Sequence, residues 1–244
     1  MQTPLPPHMK MVQTQDGSPS MEISSEQASE LMHHSHGAFS ESIYIYAHAL
    51  KTAQSFSQDL QVLSIGLGLA YNELISHSFA LSEKINLSLL SFESEEFLRT
   101  QFLNWANNIY AAETLSSTYA QILDRCGSEF HVSPHAVREH LQAQLKNDRL
   151  ILKSSFQLDE LGDRPFNVVY FDPFSKKKSP EFWSEEFLNE FLKVACAPHC
   201  VFSTYAATGV LKRALSASGF RVDLRPGFSG KKHSIFATRG FTKV

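Results

Sequence analysis

Cysteine is scarce in this chain of 244 residues: there are three, at Cys126, Cys196 and Cys200. So sparse and odd a set excludes a disulfide framework and fits a reducing compartment. Long apolar runs are missing too. Although 43% of the residues are hydrophobic, no stretch reaches the about 18 consecutive apolar residues of a membrane span. The opening MQTPLPPHMK lacks the apolar centre of a signal peptide, so residues 1–10 are expected to form a disordered lead-in and the protein to be cytoplasmic. Metal is not implied either. His33, His34 and His36 do not share a helix face, and no carboxylate or thiolate cluster completes them. Cys196 and Cys200 read as apolar fillers. Neither a Gly-x-Ser-x-Gly elbow nor a Walker loop occurs.

What is present is an uneven charge distribution and a repeated alternation of elements. From Pro173 onward the chain carries 12 Lys+Arg against 5 Asp+Glu, a net +7, while the first 172 residues carry 10 against 20, a net −10. One basic face on an acidic body suits a phosphate-bearing partner. Apolar runs at Gln61–Gly68, Ile85–Glu93, Arg149–Phe156, Asn167–Phe171 and Cys200–Ala206 read as strands. So do Phe220–Leu224 and His233–Thr238. Helical periodicity fills the intervals, with Cys126–Gly127 expected as a break inside the stretch 94–147. Ser184 is placed to cap one helix and Gly219 to stop another. The implied fold is α/β, a doubly wound and mostly parallel sheet, with an antiparallel strand at the edge where no helix intervenes. Residues 11–60 are expected to form an N-terminal appendage, and 61–240 the main domain with a helical insertion at 94–147.

In such a sheet, chemistry collects at the carboxyl ends of the strands. Three signals fall there. Gly66-Leu67-Gly68 closes the first strand, where missing side chains allow a tight turn and close approach of a ligand. Ala70 stands where a third glycine of a dinucleotide motif might be. Glu93 closes the second strand and can accept hydrogen bonds from both hydroxyls of a ribose. Asp172-Pro173-Phe174 closes the fourth, pairing an acceptor for an amine with an aromatic face for a planar base. A plain tight turn, a surface acid and a salt-bridged aspartate are the structural readings of the same residues.

Taken in order, these stretches resemble the class I S-adenosylmethionine-dependent methyltransferases. They are most similar to the module that forms methylaminomethyl-uridine at the tRNA wobble position. QTQDGSPSMEI resembles that family's opening "DGSPT" hairpin, and HHSHGAFSESIYIY its "YHS…GA…ES…VF" segment. SIGLGLAYNEL resembles the "GxGxGxN" loop, SFE the acidic ribose motif, and DPFSKKKSPEFW the "D-[GP]-F-[AS]-P-x-[KR]-[NS]-P-E-x-W" motif. STYAATGVLKRALSASGF and RPGFSGKKHSIFAT resemble its two closing blocks.

The resemblance implies a seven-stranded sheet of class I methyltransferase type. It also implies that Gly66, Gly68 and Glu93 hold S-adenosylmethionine, with Asn72, Ser35, Gly37 and Glu41 lining or closing the pocket. Asp172 would face the aminomethyl group of the substrate, with Phe174 and Tyr205 flanking the uracil ring. Lys212, Arg213, Lys231 and Lys232 would meet tRNA phosphate, and Lys176, Lys177 and Lys178 would rim the mouth. Departures from the pattern are Ala70, Lys176 in place of a proline, His233 in place of an arginine, and no acid at the end of the third strand to read the adenine amine. Ser154, Ser155, Gln157 or Asp159 would take that bond. A separate enzyme would supply the aminomethyl-uridine, since the sequence shows no fused flavin domain of the kind some relatives carry. The rival readings are a tRNA-binding protein with a decayed cofactor pocket and an amino-methyltransferase for another substrate. A dinucleotide oxidoreductase is disfavoured by the incomplete glycines.

Overall fold

The alternation of side chains along each central strand dictates a sheet covered on both faces. In the computed structural model, which describes residues 4–24, 29–162, 165–173, 179–230 and 233–241, the chain opens with a small antiparallel sheet. It comprises β1 (Met9–Gln13), β2 (Pro19–Ser24) and β3 (Ser29–Leu31). Met9 and Lys10 thus lie in a strand, within the stretch expected to be a disordered lead-in.

The β1–β2 turn is tied by Asp16. Its carboxylate accepts from the Ser18 amide (2.9 Å), the Thr14 hydroxyl (2.9 Å) and the Ser40 hydroxyl (2.7 Å), with Arg125 at 3.4 Å. Burial pushes the Asp16 carboxyl upward, but the bonds from Ser18, Ser40 and Thr14 outweigh it and hold the group well below the usual carboxylate range. Helix α1 (Ala38–Ser42) begins against this knot. It runs through a π-helical turn, Ile43–Ala47, into α2 (His48–Gln54).

The main sheet then builds as β4 (Asp59–Ile65), α3 (Tyr71–Glu83), β5 (Asn86–Phe92), α4 (Glu96–Ala106), α5 (Glu113–Phe130), α6 (Pro134–Lys146) and β6 (Leu150–Lys153). It continues as β7 (Phe166–Phe171), α7 (Glu185–Ala195), β8 (Cys196–Thr204), α8 (Gly209–Ala217), β9 (Arg221–Pro226) and β10 (His233–Arg239). The strand order is β6-β5-β4-β7-β8-β10-β9. Val62, Leu89, Val168 and Val201 face one core beneath α3, α5 and the N-terminal helices; Leu63, Leu90, Val169 and Phe202 face the other, beneath α7 and α8. Strands buried on both faces are the signature of parallel sheets. Helix α7 is capped as expected, the Ser184 hydroxyl accepting from the Phe187 amide at 3.1 Å, and α8 is capped by Thr208 in the same way at 3.2 Å.

Three local expectations are corrected. Helix α5 runs unbroken through Cys126–Gly127. A β-carbon on Gly127 would lie 2.8 Å from the Val132 carbonyl oxygen and 3.1 Å from the Pro134 ring, so this glycine permits a close turn into α6 rather than ending the helix. Strand β8 begins at Cys196, not Cys200; Pro198 and His199 lie where the β7–β8 register shifts between Phe166 and Val168. The antiparallel strand, β10, is not at the edge but inserted between β8 and β9, paired antiparallel with both.

A buried acid sits under this framework. Glu73 of α3 is fully buried and accepts a hydrogen bond from the Ser91 hydroxyl at 2.7 Å. Burial, opposed by the Ser91 bond, raises its pKa from 4.5 to about 7. The fold therefore accommodates the neutral acid, while the unfolded chain releases the proton near 4.5. Stability is full below that pH and declines until the folded group ionises near pH 7, by about 3 kcal/mol for such a shift. Urea unfolding at pH 5 and pH 8 is expected to show this loss in the wild type and a much smaller one in Glu73→Gln. Equal pH dependence in both proteins would contradict the assignment.

Candidate active site

The parallel register places three loop residues side by side. Ile65 pairs with Phe92 on one side and Phe171 on the other, so the next residues, Gly66, Glu93 and Asp172, emerge together from β4, β5 and β7. The backbone locks them: the Gly66 amide donates to the Phe92 carbonyl at 3.0 Å, and the Asp172 amide to the Ile65 carbonyl at 3.1 Å. The chain leaves β4 toward β5 on one side and β7 lies on the other, which is the switch point of the sheet.

Above these ends lies a cavity of about 670 Å³. It brings together Gly66, Gly68, Asn72, Glu93, Asp172 and Tyr205 from the main domain with Ser35 and Glu41 from the N-terminal segment. Glu93 is 7% exposed; one carboxylate oxygen accepts from the Gly68 amide at 2.8 Å and the other from the Glu95 amide at 2.9 Å. Two of its roughly four acceptor positions are thereby used, leaving acceptor capacity for a ligand. Burial raises the Glu93 pKa against these two donors. Glu41 accepts from the His34 amide at 2.7 Å and so ties the 33–36 loop to the wall of the cavity. The Tyr205 hydroxyl donates to the Pro173 carbonyl at 2.9 Å, anchoring the residue that follows Asp172.

Both loop glycines are required by what approaches them. Gly66 has φ +98, and a β-carbon there would lie 2.7 Å from the Asp172 carbonyl oxygen; at Gly68, φ +52, it would meet Met32 Sδ at 3.3 Å. Ala70, at the start of α3, also takes the left-handed conformation, φ 62, which glycine would adopt without strain.

Other expected site residues lie elsewhere. Gly37 does not line the cavity: its missing β-carbon makes room for Asp16, whose Oδ2 would be 2.5 Å from one. Lys212, half-buried, and Arg213, exposed and 3.8 Å from Glu185, are on α8 outside the cavity. Phe174, Lys176, Lys177, Lys178, Lys231 and Lys232 lie outside the described residues. After β6, Ser154 and Ser155 reach the cavity, whereas Gln157 and Asp159 do not. Tyr46, Met32 and Phe156, which no motif of the sequence singles out, also line it. Only their positions in the folded N-terminal segment and after β6 bring them there.

The charge of the wall is one-sided. Among the described lining residues are five carboxylates, Glu30, Glu41, Glu93, Asp172 and Glu181, and no lysine or arginine. Such a cavity favours a cationic ligand. Among the described residues no group of three or more His, Cys, Asp or Glu is placed to hold a metal ion, and no helix is long and apolar enough to cross a membrane.

Residues 128–240 match the family model described as S-adenosyl-L-methionine-dependent methyltransferase. In fold, in its switch-point cavity and in this partial match, the chain is similar to S-adenosyl-L-methionine-dependent methyltransferases. The resemblance to the wobble-uridine enzymes is borne out by particular relatives. The chain is 27% identical over 205 residues to the tRNA 5-methylaminomethyl-2-thiouridine biosynthesis bifunctional protein MnmC of Campylobacter hominis, covering 82% of this chain and 28% of that protein. It is 40% identical over 75 residues to the MnmC protein of Caulobacter sp. strain K31, covering 31% and 12%. The chain thus spans less than a third of these relatives' length. Among solved structures, MNMC2 from Aquifex aeolicus superposes with a TM-score of 0.65 at 19% identity, covering 98% of this chain and 72% of that one. Spermidine synthase from Thermotoga maritima superposes with 0.51 at 13% identity, covering 96% and 73%.

The contact between Gly66 and Asp172 gives a direct test. Gly66→Ala places a β-carbon against a backbone oxygen that cannot rotate away and forces a left-handed alanine. It is expected to cost at least about 2 kcal/mol in urea unfolding and to weaken S-adenosylmethionine binding in calorimetry. Wild-type stability and affinity would show that the two strand ends are not held in contact.

Proposed function

We propose that the protein methylates the primary amine of 5-aminomethyl-(2-thio)uridine at the wobble position of tRNA. The single observation that carries this reading is that Asp172 shares one carboxylate-lined cavity with the Gly66–Gly68 loop and Glu93. The names of the relatives support it, since the product they are named for bears a methylated amine at that carbon.

Each residue then has a definable task. Glu93 would accept the ribose hydroxyls, Gly66 and Gly68 would let the backbone pass close to the cofactor, and Asn72, Ser35 and Glu41 would close around it. Ser154 and Ser155 would accept from the adenine amine, with Phe156 against the ring. S-adenosylmethionine, when bound, supplies an activated methyl group on a cationic sulfur. The chain's contribution is alignment: an in-line displacement requires the acceptor nitrogen to be neutral and its lone pair directed at the methyl carbon. An alkylamine is mostly protonated at neutral pH. A carboxylate is a far weaker base than an alkylamine, so Asp172 orients the amine and offsets the charge that develops on nitrogen. Tyr205 and Phe174 would hold the uracil after it leaves the anticodon stack, and Lys212, Arg213, Lys231, Lys232 and Lys176–Lys178 would meet the phosphates.

Nucleoside analysis of tRNA carrying aminomethyl-uridine, incubated with protein and S-adenosylmethionine, tests the reading. The wild type is expected to convert that nucleoside to its N-methyl form. Asp172→Asn should be slower by at least about tenfold with cofactor affinity retained. Wild-type turnover by the variant would remove Asp172 from the chemistry.

A further inference from the structure

The cavity is also walled by the π-helical turn Ile43–Ala47, which presents Tyr46. Single π-helical turns inside longer helices recur at functional sites, because the extra residue redirects the side chains that follow. Tyr46 is 2% exposed, and its ring packs edge-on against Tyr170, with centroids 5.0 Å apart. The ring is fixed and the hydroxyl has little freedom to move. The Asp172 carboxylate is the hydrogen-bonding partner of that hydroxyl, and no other protein group bonds the phenol oxygen. Burial first, and then the Asp172 charge, keeps the phenol protonated at any physiological pH. A phenol that donates to a carboxylate still has acceptor capacity on its oxygen, and this one borders the cavity beside the residue assigned to the amine.

Resting on the reading proposed above, we infer that the Tyr46 hydroxyl is the second hydrogen-bonding group for the substrate amine, working with Asp172. A neutral primary amine has two N–H bonds and one lone pair. With the C–N bond and one N–H held, the second hydrogen and the lone pair can still exchange places, so the lone pair has two possible directions. Holding both fixes the lone-pair direction, which is the quantity an in-line displacement depends on. Asp172 supplies one acceptor from the end of β7. The phenol oxygen of Tyr46 supplies the other, from the N-terminal segment, while its own proton is directed toward the Asp172 carboxylate. The amine is thereby read by both halves of the chain, and an RNA lacking the amine leaves the acceptor side of the Tyr46 oxygen unused.

The test uses Tyr46→Phe, which removes only the oxygen. Three measurements are made on the full chain: thermal unfolding, calorimetric binding of S-adenosylmethionine, and binding of two anticodon stem-loop RNAs. The RNAs differ only in bearing aminomethyl-uridine or uridine at the wobble position. The variant is expected to remain folded and to bind the cofactor as the wild type does. It should lose about tenfold in affinity for the amine-bearing RNA, with no change for the uridine RNA. An unchanged preference for the amine-bearing RNA in Tyr46→Phe overturns the inference, as does a lower melting temperature with that preference retained, which would make the hydroxyl structural. If the wild type itself shows no preference between the two RNAs, it is the aminomethyl-uridine reading that fails.

Discussion

Gly66 passes so close to the carbonyl of Asp172 that no side chain fits between them, and the rest of the site depends on that contact. It fixes the end of β4 against the end of β7, while the pairing of Ile65 with Phe92 fixes it against β5 on the other side. The acid on each neighbouring strand is thereby held at one level and on either side of the glycine loop. A ligand whose one end carries hydroxyls and whose other end delivers a group to an amine can span from Glu93 to Asp172 only because of this spacing. The Gly68 amide adds a second tie by donating to Glu93, so loop conformation and carboxylate orientation are set together.

Another wall of the cavity comes from a different part of the chain and is held by a different device. Asp16 gathers Thr14, Ser18, Ser40 and Arg125 around one carboxylate, which joins the first hairpin, the start of α1 and the long helix α5. From that anchor the chain lays residues 30–35 and then the π-helical turn across the cavity. Met32 contacts the place where Gly68 has no side chain, and Glu41 secures the loop through His34. These residues connect elements far apart in sequence, so a change in the N-terminal knot reaches the cavity without touching a ligand.

Much of this was legible in the sequence. The parallel sheet follows from apolar runs alternating with helical stretches, and the position of Gly66, Glu93 and Asp172 at strand ends follows from where the apolar runs stop. The failures have physical causes. Gly127 was read as a breaker because glycine lowers helix propensity, yet its lack of a side chain serves the packing of the next turn. For Gly37, which the resemblance sets at the pocket, the atom its missing side chain makes room for belongs to Asp16. The insertion of β10 between β8 and β9 is a choice of pairing that local pattern does not encode. Tyr46 was passed over because nothing in IYIY distinguishes a core tyrosine from one whose hydroxyl borders a cavity; only the path of the helix does.

We propose that the ends of β4, β5 and β7 form one S-adenosylmethionine site, with Glu93 holding the ribose. Calorimetric titration of S-adenosylmethionine into the wild type and Glu93→Ala tests it most directly. The account predicts one site per chain in the wild type and a loss of about 1.5–3 kcal/mol in the variant, the range for hydrogen bonds to a charged group. Equal affinities in the two proteins, or no binding by a folded wild type, would contradict it.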